Sequence, residues 1–154
     1  MTLGNQSSGP STAKFAKASL ISPRLLVVDD DRVQRILISQ AGRSAGHCVT
    51  EARSVAEAID LIQSVAFDCV VLDLTLEDGD GFDVLRAMGM AGYGGCVIIV
   101  SGAEAPARHA SRVLAQSLDM DLLQSFHKPV DLGALRLSLH NVRRNQAGLP
   151  TFRE

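Results

Sequence analysis

A chain of 154 residues, 46% hydrophobic and 21% charged, is about one domain of ordinary globular composition, which excludes a disordered chain, a collagen and a coiled coil. The net charge of −2 hides a split. Residues 1–24 hold three basic residues and no acid, residues 131–154 hold four arginines against two acids, and residues 25–130 carry a net −7. No apolar run nears the roughly 18 residues needed to span a bilayer, no apolar stretch of leader length follows a basic start, so a secretory leader is not expected, and an acidic block is a poor match for nucleic acid. The cytoplasm is the expected address. Cys48, Cys69 and Cys96 show no C-x-x-C spacing, so free, buried thiols are expected. The four histidines show no metal-ligand spacing.

Residues 1–22, rich in Ser, Gly, Thr and Pro, read as a flexible arm, in which Ala16, Leu20 and Ile21 could form a short sticky patch. Leu25–Val28 is a continuous apolar run, the mark of a strand buried on both faces. After it, Val33, Ile36, Leu37 and Ala41 recur at helical spacing, with Asp31 as a cap and Gly42 and Gly46 closing the helix. A short strand fits Cys48–Glu51. Ser54 with Glu57 makes a capping box ahead of a helix on Val55, Ala58, Ile59 and Ile62.

Phe67–Leu74 reads as a second strongly apolar strand, ending at Asp73, then an acidic loop through Gly81 and a short helix on Phe82, Leu85 and Met88. Gly89–Gly95 reads as a turn and Cys96–Val100 as a buried strand ending at Ser101. Residues 106–120 suit a helix on Val113, Leu114 and Leu118. A short strand at Leu122–His127 stops at Lys128-Pro129, and Asp131 caps a last helix with Leu132, Leu135, Leu139 and Val142 inward. Five β-then-α units in series predict an α/β, flavodoxin-like (βα)5 doubly wound parallel sheet of strand order 2-1-3-4-5.

In such sheets, ligands sit beyond the carboxyl ends of the strands. Those ends carry Asp29 and Asp30, Asp73, Ser101 and Lys128, so three carboxylates, a hydroxyl and an ammonium converge on one rim. Three close carboxylates repel one another, and a hard divalent cation, best Mg²⁺, relieves them. Lys128 and Ser101 then suit phosphate oxygens, and Asp73 suits the role of nucleophile toward phosphorus.

The segments Leu25–Asp31, Val70–Leu74 with Asp80-Gly81-Phe82, Val97–Gly102 and Lys128-Pro129 together resemble the receiver domain of bacterial two-component response regulators, from about residue 24 to 145. The resemblance implies a domain at 23–145 between the arm at 1–22 and a tail at 146–154. It implies that Asp73 accepts a phosphoryl group from a phosphohistidine on a sensor histidine kinase or histidine phosphotransfer protein. Asp29, Asp30, Asp73 and the backbone carbonyl of Thr75 would hold Mg²⁺, Ser101 would be the switch hydroxyl and Lys128 its partner, with a cis bond before Pro129. Such a domain is a phosphoacceptor rather than an enzyme. With nine residues after the last helix, it is expected to stand alone as a monomer or weak dimer, with output through protein contacts and no direct contact with DNA or membrane.

Three positions depart from the family pattern. Glu77 stands where a proline is common, which should loosen the loop without touching the chemistry. Ser125 takes the place of the usual aromatic switch residue, and the neighbouring Phe126 should point to the opposite face. The interval from Ser101 to Lys128 also looks extended. These leave open a receiver-like interaction module that no longer responds to phosphorylation. The third reading, a phosphatase of the haloacid dehalogenase type, lacks the second aspartate such an enzyme needs, because Thr75 stands there. Glu77, Asp78, Asp80 and Asp83 do not match the spacing of a calcium loop and read as mostly solvated surface, while His127 is expected to pack or to be exposed rather than to act as an acid–base group.

Overall fold

A computed structural model describes residues 22–102, 104–146 and 148; the N-terminal arm, including Ala16, Leu20 and Ile21, and most of the tail lie outside the described residues. In chain order the elements are β1 (Arg24–Val28), α1 (Arg32–Ser44), β2 (Cys48–Ala52), α2 (Val55–Ser64), β3 (Cys69–Asp73), β4 (Thr75–Leu76), β5 (Gly79–Asp80), α3 (Gly81–Met90), β6 (Cys96–Ser101), α4 (Ala105–Ser117), β7 (Asp121–His127) and α5 (Leu132–Gln146). The main sheet is parallel in the order β2-β1-β3-β6-β7. This is the expected 2-1-3-4-5 order, because β4 and β5 form a separate antiparallel hairpin inside the acidic loop. No helix among the described residues is long and apolar enough to cross a membrane.

The central strands are buried throughout, β3 and β6 at every residue, which is why they appear in the sequence as unbroken apolar runs. Their side chains alternate between two cores. Leu26, Val28, Val70, Leu72, Val97 and Ile99 pack with α2 and α3, while Leu25, Val27, Val71, Ile98, Val100 and Phe126 pack with α1 and α5. Cys69 and Cys96 sit side by side in the β3–β6 register. The hydrogen bond with Cys96, reinforced by burial, pushes the Cys69 thiol well above its usual range. Cys48 is exposed, contrary to the expectation of three buried thiols, because it opens the edge strand β2.

Helix α1 packs through a different stripe from the expected one. Ile38, Ala41, Gly42 and Ala45 face the core, while Val33, Ile36 and Leu37 are exposed at 65%, 38% and 37%. Small residues win the inner face because they let the helix axis approach the sheet. A Cβ on Gly42 would meet the Leu25 side chain, so Gly42 is a packing residue inside the helix and Gly46, with φ at +93°, is the terminator. In α4, Val113 is likewise half exposed, and the buried positions are Ser111 and Ala115. Helix α3 runs through Gly89 to Met90, which shortens the expected turn.

Caps fix where the helices begin. Asp31 accepts from the Gln34 amide at 2.9 Å and Asp131 from the Ala134 amide at 3.1 Å. Ser54 accepts from the Glu57 amide at 3.1 Å, but the Glu57 carboxylate turns outward to Arg53, leaving the other half of the capping box unmade.

His47 is the buried titratable group that the sheet does not explain. It is 5% exposed between β2 and α5, its Nε2 bonds the Leu139 carbonyl at 2.6 Å, and Nδ1 has no partner. Burial lowers its pKa, against the raising effect of that carbonyl and of Asp68, with Arg143 and His140 adding positive charge nearby. A histidine whose pKa is lowered on folding binds its proton more weakly folded than unfolded, so stability falls as pH falls below its unfolded value near 6.5. Urea unfolding between pH 7.5 and 5 should show this slope, and His47→Gln should flatten it.

Candidate functional site

Each site residue is delivered by the strand before it. Asp29 follows β1, Asp73 ends β3, Ser101 ends β6 and Lys128 follows β7. Because β1, β3, β6 and β7 are neighbours in parallel register, their ends share one rim. Asp29, Asp73 and Ser101 are 0%, 3% and 0% exposed, while Asp30 is half-buried and Thr75 exposed.

Lys128 holds this rim together. Its Nζ lies 3.0 Å from Asp73 Oδ2 and 3.2 Å from Asp29 Oδ2, and its amide donates to the Ser101 carbonyl at 3.0 Å. The Lys128–Pro129 bond is cis, as the resemblance implied. The other carboxylate oxygens are held by the backbone: Asp73 Oδ1 by the Thr75 amide at 3.0 Å and Asp29 Oδ1 by the Asp31 amide at 2.9 Å.

Burial raises the pKa of Asp73 and Asp29 adds to it, against the Thr75 amide and the Lys128 ammonium. Burial works against the Lys128 ammonium too, but its bonds to Asp73 and the charge of both carboxylates outweigh it and raise its pKa. One cation shared by two buried acids gains more than either acid does. Carboxylate oxygens of Asp29, Asp30 and Asp73 lie within 4.8 Å of one another. Three hard oxygen donors around one point, in excess of the cation present, suit a small divalent metal ion.

Four contributors escaped the sequence reading. The Glu77 amide donates to Asp30 Oδ2 at 2.8 Å. A proline there has no N–H to give, so Glu77 does bear on the site, contrary to expectation. Arg35 donates from Nη1 to the Asp29 carbonyl at 2.9 Å and from Nε to Glu51 at 3.0 Å. Asp78 caps α2, accepting from the Val55 amide at 2.9 Å and the Ala56 amide at 3.3 Å, and the Val55 bond chiefly holds its carboxyl below the usual range. Gly81 lets α3 start against the backbone of the strand-end rim: its amide donates to the Leu74 carbonyl at 2.9 Å, and a Cβ would come to 2.7 Å from the Asp73 carbonyl and from Leu74 Cα. Asp80 caps α3 through the Phe82 amide and Asp83 pairs with Arg86, so most of the acidic loop is engaged rather than merely solvated. Only the Asp80-Gly81 dipeptide, a cap followed by a residue with no side chain, hinted at this from sequence. Of the two placements open to His127, packed or exposed, the structure has it exposed.

At the Ser125 departure, a register shift between Val97 and Ile98 puts one extra residue of β7 opposite them, and Ser125 then pairs with Ile99 and Phe126 with Val100. Phe126 lies in the core beneath α1 and α5. Phe126 therefore lies on the sheet face opposite to that of Ser101, whose own register partner is His127.

Residues 25–140 match the model of the response regulator receiver domain, and the chain belongs to that family, whose members work in two-component phosphorelay signalling. It is 34% identical over 124 residues to the swarming motility regulation protein RssB of Serratia marcescens, covering 80% of this chain and 54% of RssB. It is 26% identical to sporulation initiation phosphotransferase F of Bacillus subtilis, covering 76% of this chain and 90% of that protein. A response regulator structure from Colwellia psychrerythraea superposes with a TM-score of 0.72 at 24% identity, covering 82% of this chain and all of that one. The chain thus spans about half of RssB and nearly all of the sporulation protein.

Two outcomes follow. Asp73→Asn removes a buried carboxylate whose pKa is raised on folding; such a group favours folding at low pH and loses that contribution as pH rises through the carboxylate range. In chelator-treated protein the variant should gain stability relative to the wild type as pH rises from 4 to 7, read by urea unfolding at each pH. Gly81→Ala must push the Asp73–Leu74 backbone aside and should cost about 1–3 kcal/mol, measured by urea unfolding.

Proposed function

We propose that this chain is a phosphoacceptor that takes a phosphoryl group on Asp73 from a phosphohistidine donor, with Mg²⁺ bound, and signals through protein contacts. The observation that supports this best is the Lys128 ammonium shared between Asp29 and Asp73 at one strand-end rim. An Asp73 carboxylate oxygen attacks phosphorus in line; the new O–P bond forms as the P–N bond to histidine breaks and the imidazole leaves with the electron pair. The Thr75 amide keeps Asp73 oriented. Lys128 Nζ passes from the carboxylates to a phosphoryl oxygen, and the Ser101 hydroxyl, at the neighbouring strand end, donates to another. Asp29, Asp30, Asp73 and the Thr75 carbonyl would hold the magnesium ion, which would supply positive charge against the negative charge on the phosphoryl oxygens.

The donor must bring its histidine to this rim, and α1 starts there with Val33, Ile36 and Leu37 exposed. That apolar strip suits docking of a histidine kinase or phosphotransfer helix. On this reading the receiver unit works in the cytoplasm as a monomer or weak dimer and itself contacts neither DNA nor membrane. A second reading, an interaction module indifferent to phosphorylation, is favoured by Ser125 and by the placement of Phe126 on the far face.

Incubation with a small phosphoramidate and Mg²⁺ should give a base-labile adduct on the wild-type chain and none on Asp73→Asn, read by mass spectrometry. No adduct on wild-type protein shown to bind Mg²⁺ refutes phosphoacceptance. Amide spectra that do not change with beryllofluoride would favour the second reading.

A further inference from the structure

The position that departs from the family, Ser125, lies on the sheet face covered by α4, opposite Ile99. On that helix Arg108 and Arg112 stand one turn apart, and with His109 and Ser125 they line a cleft of about 220 Å³. That is smaller than the ~300–1,000 Å³ of clefts for drug-sized ligands, and suits a single carboxylate or phosphate group. Every lining residue can donate a hydrogen bond, and none is acidic.

Two further observations show that the donors lack an acceptor. The ion pairs among the described residues, those of Arg35, Arg43, Arg53, Arg86 and Lys128, leave out both arginines of this cleft. Arg108 Nε and Ser125 Oγ are both screened from solvent with no hydrogen-bond partner. Buried polar atoms are almost always paired, and the Nε edge of an arginine is one of the two edges through which it grips an oxyanion in a fork. Like charges at i and i+4 also repel on a helix, which a shared anion relieves. An aromatic side chain at 125 would fill this space; serine leaves it open and adds a hydroxyl.

The geometry points to an oxyanion-binding site between α4 and β7, in which Arg108, Arg112 and Ser125 bind a carboxylate or phosphate group. It lies apart from the Asp29–Asp73–Lys128 rim and needs neither metal nor phosphorylation. The same donors serve a free inorganic anion or an acidic side chain of a partner.

The test is an amide NMR titration of chelator-treated protein at constant ionic strength. One arm uses inorganic phosphate and the other an acetylated, amidated Glu-Glu dipeptide. The expected result is saturable shifts at residues 108–112 and 125. Arg112→Ala, at an exposed position, should weaken binding by about tenfold, the loss of one charged hydrogen-bond set. Ser125→Phe, which fills the cleft, should abolish it, with circular dichroism showing both variants folded. Tighter binding of phosphate identifies a free anion, and tighter binding of the dipeptide an acidic partner. Shifts confined to Asp29, Asp73 and Lys128, no saturation, or undiminished binding by folded Arg112→Ala would overturn the site.

Discussion

The arrangement depends on one ammonium held between two buried carboxylates. Lys128 reaches Asp29 and Asp73 from the far edge of the sheet, and this contact spans 99 residues of chain in one case and 55 in the other. Removing either acid leaves the lysine one partner, but removing the lysine leaves two desolvated carboxylates facing each other, and a buried unpaired charge costs far more than a surface one. The strands buy rigidity for this cluster: their ends cannot shift without disturbing a sheet whose two central members are buried at every residue. Site and fold are therefore one construction, with charge placed where the backbone has least freedom.

The charge imbalance visible in composition acquires a location through this cluster. Three of the acids of the −7 block converge at the rim, while others in the same loop are tied to helix ends and amides. On α4, by contrast, Arg108 and Arg112 face the cleft beside Ser125 with no acid lining it, so the rim offers oxygens to a cation and the cleft offers donors to an anion.

The sheet and the main site were legible in the sequence because both leave local signs. Strands buried on two faces appear as unbroken apolar runs, and chemistry in an open parallel sheet gathers where those runs end, so Asp29, Asp73, Ser101 and Lys128 could be named from position alone. What failed to show was of another kind. Periodicity finds apolar residues but not which stripe meets the sheet, so α1 was expected to bury Val33, Ile36 and Leu37 when its inner face is built from smaller residues around Gly42. Backbone donors are invisible in residue identity, so the Glu77 amide on Asp30 could not be read. Asp78 caps a helix that began 23 positions earlier, and no local pattern carries that distance.

The loop after Asp73 is fastened by contacts of uneven strength. At Gly81 it presses backbone against backbone, but along its outer reach it is held by hydrogen bonds, from the Glu77 amide to Asp30 at the surface and from the Val55 and Ala56 amides to Asp78 at or near it. Water can replace such bonds as they stretch, so breaking them costs little, whereas shifting Gly81 means moving the strand end itself. Leu76 anchors the first strand of the hairpin in the core, so only the tip at Glu77 and Asp78 can give way while Asp73 stays still.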